Sequence, residues 1–163
     1  MKIFLAGAGG AIGRRLTPLL VAAGHTVAGT TRSSGKAETI TRLGARPVVV
    51  DVFDASALAR AVAAEAPQAI IHQLTDLAFT PGSPQYEEGL RRNARLRIEG
   101  TRNLVAAARA AGVTRMVAQS IAFIYAPGSG ARVETDALTG DPAAAGTVAA
   151  VKALEEAVLG LPE

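Results

Sequence analysis

Apolar positions along the chain fall into two rhythms. Short runs rich in β-branched residues alternate with longer Ala/Leu-rich stretches whose apolar positions recur at helical spacing. Lys2–Ala6 reads as a strand, and residues 11–23 read as an amphipathic helix stopped by Gly24. Residues 25–30 form a second strand, followed by a helix over 36–43 that Gly44 closes. The third strand, residues 46–50, carries the continuous run Val48-Val49-Val50, the pattern of a strand covered on both faces. Asp54 or Ser56 caps a helix over 57–66, which Pro67 ends. Residues 68–73 make a fourth strand around Ala69-Ile70-Ile71.

The second half repeats the alternation with longer elements. A loop over 75–83 is punctuated by Pro81 and Gly82, and Ser83-Pro84 reads as an N-cap with proline at the first helical position. A long helix then runs to about residue 111, where Gly112 stops it. Residues 113–119 form a fifth strand, and Pro127, Gly128, Ser129 and Gly130 mark the loop after it. Asp141-Pro142 repeats the cap-plus-proline signal and opens a last helix to about residue 159. Strand–helix alternation with right-handed crossovers builds a parallel sheet covered by helices on both faces. The pattern therefore predicts one α/β domain over 1–163, a doubly wound parallel sheet of strand order 3-2-1-4-5.

Composition narrows the function classes. At 49% hydrophobic and 19% charged residues, the 163-residue chain is globular rather than disordered. It contains no cysteine, which excludes disulfides, thiolate metal sites and cysteine nucleophiles. No apolar run approaches the ~20 residues of a membrane span. Aromatics are 4%, too few for a stacking platform for single-stranded nucleic acid. The net charge of +3 is the difference of 17 cations and 14 anions. The densest basic cluster, Arg91, Arg92, Arg95 and Arg97, is interleaved with Glu87, Glu88 and Glu99 and reads as a solvated helix face. No nucleic-acid partner is expected. The apolar start Ile3-Phe4-Leu5-Ala6 is broken by glycines and followed by Arg14-Arg15, which reads as an uncleaved, cytoplasmic start rather than a secretory signal. His72, inside Ile70-Ile71-His72-Gln73, reads as a buried structural histidine, and no second ligand is placed to make a metal site with it.

Chemistry concentrates in the first turn. Gly7-Ala8-Gly9-Gly10-Ala11-Ile12-Gly13 sits directly between strand and helix. Glycine there lets the backbone turn tightly and approach a diphosphate, which the free N–H groups of the helix start would bind. A plain strand–helix turn in an Ala/Gly-rich protein is the bland alternative. The glycines at 7, 10 and 13 are spaced G-x-x-G-x-x-G rather than G-x-G-x-x-G.

This spacing resembles the extended and atypical members of the short-chain dehydrogenase/reductase superfamily, the NAD-dependent epimerase/dehydratase group. Further segments carry the same resemblance: Gly24-His25-Thr26-Val27, Asp51-Val52-Phe53-Asp54, Gly100-Thr101-Arg102-Asn103-Leu104, and Gly112-Val113-Thr114-Arg115-Met116-Val117. The resemblance implies a nicotinamide dinucleotide in a Rossmann fold. It implies Asp51 beside the adenine amino group with Val52 next to it, and Gln73, Leu74 and Thr75 along the ribose and nicotinamide. An acidic residue at the end of the second strand would hold the ribose hydroxyls of NAD. Here Thr30-Thr31-Arg32-Ser33 stands in that place, with Lys36 one helical turn on. A guanidinium flanked by hydroxyls suits the 2′-phosphate of NADP, so NADP is expected over NAD. The alternative is a surface loop cation.

The family's catalytic pattern is incomplete. Its acid/base Tyr precedes a Lys by four residues; Lys152 fits the Lys, but the Tyr position is Val148. Ile121 stands where the resemblance expects Ser or Thr, one residue after Ser120, and Tyr125 is the nearest phenol. Ser120, Tyr125 and Lys152 are the candidate catalytic set, Lys152 also as a ribose contact. The family continues beyond this helix with at least one further strand and a substrate region, so the fold is expected to be truncated there. That leaves the fifth strand as a sheet edge suited to a second copy of the chain. The leading reading is hydride transfer between nicotinamide and a carbonyl or alcohol carbon of an unidentified small molecule. The alternatives are an inactive NADP-binding sensor or a structural remnant.

Overall fold

Five parallel strands form the centre of the molecule: β1 (Lys2–Ala6), β2 (Thr26–Thr31), β3 (Arg46–Val49), β4 (Ala69–His72) and β5 (Met116–Ala118), in the order β3-β2-β1-β4-β5. The computed structural model describes residues 1–161; Pro162 and Glu163 at the close of the chain lie outside the described residues. Registers such as Phe4↔Ala28 and Phe4↔Ile70 place β1 in the middle. Helices α1 (Gly13–Ala22) and α2 (Ala37–Arg42) lie against the sheet, as do α3 (Ala55–Glu65), α5 (Thr101–Ala110) and α6 (Ala145–Leu159), while α4 (Tyr86–Arg95) packs on α6.

Alternation along β1 divides the core. Phe4 and Ala6 join Leu58, Val62, Ile70, Leu104 and Ala108, the buried cluster beneath α3 and α5. Leu5 points the other way, onto Val27, Ile40 and Ala45, beneath α1 and α2. Both faces of β1 are thus dry, which is why it reads as an unbroken apolar run. Pro47 sits in the edge strand β3, where a missing donor is tolerated. β5 forms the opposite edge and leaves Val117 63% exposed. Among the described residues, no helix is long and apolar enough to cross a membrane.

Several boundaries differ from the sequence pattern for local reasons. Asp54 is the cap of α3, its Oδ1 accepting from the Ala57 N–H at 2.8 Å, so the helix begins at Ala55. Ser83 does not cap α4 through its side chain. The chain turns first, with Ser83 N–H donating to the Thr80 carbonyl, and the helix begins at Tyr86. Phe79 sets that entry: its ring lies edge-on to Tyr86 at 5.6 Å and packs directly on Gly89, where a Cβ would collide with it. The expected single long helix is interrupted by a π turn, Leu96–Gly100, between α4 and α5. Within it and just after it Leu96, Arg97, Gly100 and Thr101 are all buried. Asp141 caps the last helical segment as expected, accepting from the Ala143 N–H.

His72 ends β4 fully buried, as its surroundings in sequence suggested. Its Nδ1 accepts from the Leu74 N–H at 3.2 Å, so in the neutral ring Nε2 carries the proton toward Thr101 Oγ1, 2.9 Å away. Burial, together with the nearby Arg97 charge, pushes its pKa down to about 4. The unfolded chain therefore binds a proton that the folded chain refuses as pH falls from about 6.5 towards 4. Stability should drop across that window by about 3 kcal/mol from this group. Denaturant unfolding at pH 7 and pH 4.5 checks this, and His72→Gln should flatten the slope between those values.

Candidate functional site

The β1–α1 turn places glycine where a side chain would collide. Gly7 has φ +94°, and a Cβ there would stand 2.8 Å from the Gln73 carbonyl oxygen. At Gly13 a Cβ would collide with the Gly7 carbonyl and with Ala8. The Gly7 N–H donates to Thr30 Oγ1 at 3.0 Å, tying the turn to β2, and the Gln73 N–H donates to the Ala6 carbonyl at 2.8 Å, tying it to β4. Gly9 is different: a Cβ would meet nothing within 4 Å, and with Gly10 it lines a cavity of about 500 Å³. Gly7 and Gly13 thus serve packing, whereas Gly9 leaves bare backbone facing the cavity.

The cavity lies beyond the carboxyl ends of β1, β2 and β4, where strand order reverses. Three chemically distinct walls meet there. The glycine turn is one, with α1 starting behind it; among the described residues the Ala11 and Ile12 amides have no backbone acceptor. Thr31, Arg32, Ser33 and Lys36 form the second wall, at the end of β2. Here Ser33 N–H donates to Thr31 Oγ1 at 3.1 Å, folding the loop back on the strand. Val50, Val52, Phe53 and Leu58 form an apolar third wall, which Leu96 and Leu104 extend from the π turn and α5. Arg95 lies over the Phe53 ring at 4.0 Å and is held there by a 2.7 Å hydrogen bond from its Nε to Glu99. That bond holds the Glu99 carboxyl below its ordinary range.

These walls fit a dinucleotide. Bare amides at a helix start suit a diphosphate, and a flat apolar slot suits a nucleobase. Gln73 Oε1 supplies a further sign: it is enclosed at the cavity with no hydrogen-bond partner, an acceptor that a sugar hydroxyl would satisfy.

The expected cofactor residues divide. Gly7, Gly9, Gly10, Thr31, Arg32, Val52, Gln73, Leu74 and Thr75 all line the cavity. Ala11, Ile12 and Gly13 form the turn and helix start behind it, and Asp51 stands at its rim, accepting from the Phe53 N–H at 3.0 Å. The candidate catalytic residues are not gathered at the cavity wall. Ser120 donates to Glu155 on α6, and Tyr125 pairs through its backbone with Leu138. Lys152 lies on the exposed face of α6, flanked by the buried Val151 and Leu154. Val50, Phe53, Leu58, Leu96 and Leu104 were not expected at the cavity from sequence; helical spacing marks the leucines as inward, but not as lying at this end of the sheet. Among the described residues no group of three or more His, Cys, Asp or Glu is gathered for a metal.

Residues 7–159 match the family described as NAD(P)H-binding. A 3-diazoavenalumate denitrifying reductase from a Streptomyces species is 43% identical over 162 residues, covering 97% of this chain and 51% of that protein. A short-chain dehydrogenase/reductase superfamily protein from Agrobacterium tumefaciens, solved with bound NAD, is 27% identical with a TM-score of 0.73, covering 97% of this chain and 44% of that one. The UDP-glucose 4-epimerase of Stenotrophomonas maltophila, solved with NAD and formylated UDP-arabinopyranose, shares the fold with a TM-score of 0.77 at 22% identity, over 99% of this chain and 48% of that one. The chain spans about half the length of the relatives it matches.

The two kinds of glycine should separate on substitution. Gly13→Ala should cost about 1–3 kcal/mol or more in urea unfolding, because backbone must move to admit the methyl. Gly9→Ala should stay within about 0.5 kcal/mol of the parent, yet weaken nicotinamide cofactor binding in a fluorescence titration, because the methyl occupies the approach to the backbone.

Proposed function

The chain belongs to the NAD(P)H-binding family, and on that premise we propose that it binds NADP(H) across this cavity and serves as the cofactor domain of a reductase. The end of β2 carries the proposal. Arg32 and Lys36 line the cavity there, and among the described residues neither has an ion pair or a side-chain hydrogen bond. No carboxylate stands among Thr31, Arg32 and Ser33 to hold a ribose diol or repel a phosphate. A 2′-phosphate would gain two cations and the neighbouring hydroxyls as charge-assisted partners.

The chain's other residues divide the work of holding that cofactor. The glycine turn and the start of α1 hold the diphosphate, Val52, Phe53 and Leu58 exclude water from the base, and Gln73 with Thr75 orients the inner ribose. When bound, the nicotinamide supplies the hydride. Val148 cannot pass a proton, and Ser120 already gives its own to Glu155. A substrate that accepts hydride without needing a proton from the enzyme fits this set better than a ketone. The Streptomyces relative's name gives such a class, a diazo compound reduced with loss of nitrogen. An arenediazonium balances without an acid: Ar–N2⁺ and NADPH give Ar–H, N2 and NADP⁺. We assign this activity to a diazo- or diazonium-bearing small molecule and to the cytoplasm, where reduced cofactor is regenerated. The exposed position of Lys152 favours a second reading, a cofactor-binding sensor without turnover.

Fluorescence titration should show NADPH binding more tightly than NADH, with Arg32→Ala weakening NADPH about 10-fold or more and leaving NADH unchanged. Equal affinities insensitive to Arg32 would overturn the NADP assignment. Absorbance of NADPH followed with 4-carboxybenzenediazonium and with 4-carboxybenzaldehyde tests the chemistry: consumption with the first alone supports the reductase, and consumption with neither supports the sensor.

A further inference from the structure

Among the described residues, Arg97 is the one Arg, Lys, Asp or Glu that is fully buried, at 5% exposure. Among those residues it has no carboxylate within ion-pair distance and no side-chain hydrogen bond. The nearby carboxylates are engaged elsewhere: Glu99 with Arg95, Glu155 with Ser120 and Asp76 with Arg92. His72, close enough to feel the Arg97 charge, is a neutral ring with both nitrogens committed. Its guanidinium nitrogens are not among the fully enclosed unpartnered atoms and so keep a small contact with solvent, while the burial of the rest of the side chain pushes the guanidinium below its usual range. Among the described residues no carboxylate offsets that burial.

Its position tells what would. The run from α4 through the π turn to α5 passes antiparallel to β4, and Thr101 Oγ1 meets His72 at the last residue of that strand. Arg97, one turn earlier, stands about 5–6 Å further toward the carboxyl edge of the sheet. At that level Gln73 follows His72, and the Gln119 N–H donates to the His72 carbonyl. Both glutamines hold a fully buried carboxamide oxygen without a partner. Leu96, the neighbour of Arg97, lines the cavity together with Gln73, and α6 packs against the π turn. Arg97 and the two glutamines thus lie toward the same carboxyl edge of the sheet, and Leu96, the neighbour of Arg97, and Gln73 both line the cavity there.

We propose that Arg97 anchors a carboxylate of the substrate there, with the Gln119 carboxamide taking a hydroxyl or amino group of the same molecule. A guanidinium presents a planar fork of N–H groups that matches a carboxylate in both shape and charge. A phosphate dianion would leave one negative charge uncompensated beside a single cation. The inference rests on the cavity holding the cofactor, because that places the Arg97 end where the substrate enters.

Calorimetric titration of benzoate, benzamide and phenyl phosphate, with and without NADPH, tests the proposal on the intact chain. Benzoate should bind, benzamide should not, and phenyl phosphate should be weaker than benzoate. Arg97→Met should weaken benzoate at least about 10-fold while raising the Tm, because it removes a buried unpaired charge; a merely structural arginine would lower the Tm and leave benzoate binding as it was. Arg97→Lys keeps the charge and loses the fork, and should weaken benzoate without altering NADPH affinity. Equal binding of benzoate and benzamide, preference for phenyl phosphate, or parental benzoate affinity in Arg97→Met would each overturn the proposal. Loss of NADPH binding in the parent chain, with Arg97-dependent benzoate binding intact, would count against the cofactor reading instead.

Discussion

At Gly7 and Gly13 the β1–α1 turn lies too close to its neighbouring backbone to admit a side chain. The Gly7 carbonyl and Ala8 fill the space where a Gly13 side chain would go, and the Gln73 carbonyl fills the space at Gly7. Gly29 on β2 obeys the same limit, since a Cβ there would lie 2.6 Å from the Ala8 Cβ. These contacts draw the start of α1 down onto the sheet centre and set the ends of β1, β2 and β4 around one opening. The cavity is what remains when three strand ends are brought together and their side chains are kept out of the middle.

Around that opening the walls differ in kind because different elements supply them. The turn offers backbone amides, the end of β2 offers hydroxyls and free cations, and the segment after β3 offers apolar surface. A hydrogen-bonded histidine closes the sheet side beneath them and stays neutral through its burial. Buried polar atoms elsewhere in the fold find partners, as Asn93 does with the Asp76 N–H and Thr17 with the Gly13 carbonyl. The orphaned oxygens of Gln73 and Gln119 belong to residues just past the carboxyl ends of β4 and β5, and Arg97, without an ion pair among the described residues, is buried in the π turn. Stability is conceded where a ligand would restore it.

Much of this was legible in the residues. Val48-Val49-Val50 and Ile70-Ile71 mark covered strands, Asp54 and Asp141 mark helix starts, and Gly112 marks a stop; strand order followed from alternation and crossover handedness. Legibility failed where a distant contact overrode a local signal. Ser83-Pro84 has the chemistry of a cap, but Phe79 packed on Gly89 delays α4 to Tyr86. Sequence groups Arg97 with Arg91, Arg92 and Arg95 as a solvated face, whereas it lies four residues from the buried Asn93 and Thr101 and is itself buried. Lys152 matches a motif by spacing, yet α6 turns it outward, and Ser120 is drawn to Glu155 rather than to the cavity.

The sequence by itself determined the period of each element, the glycines that let the backbone approach itself and its ligand, and the cations at the end of β2. Those properties depend on residues adjacent in the chain or one turn apart, where covalent geometry and propensity decide. Tertiary structure alone decided which groups were left without partners. Whether Arg97 is paired, whether Gln73 has a donor and which leucines floor the cavity depend on contacts between elements far apart in sequence.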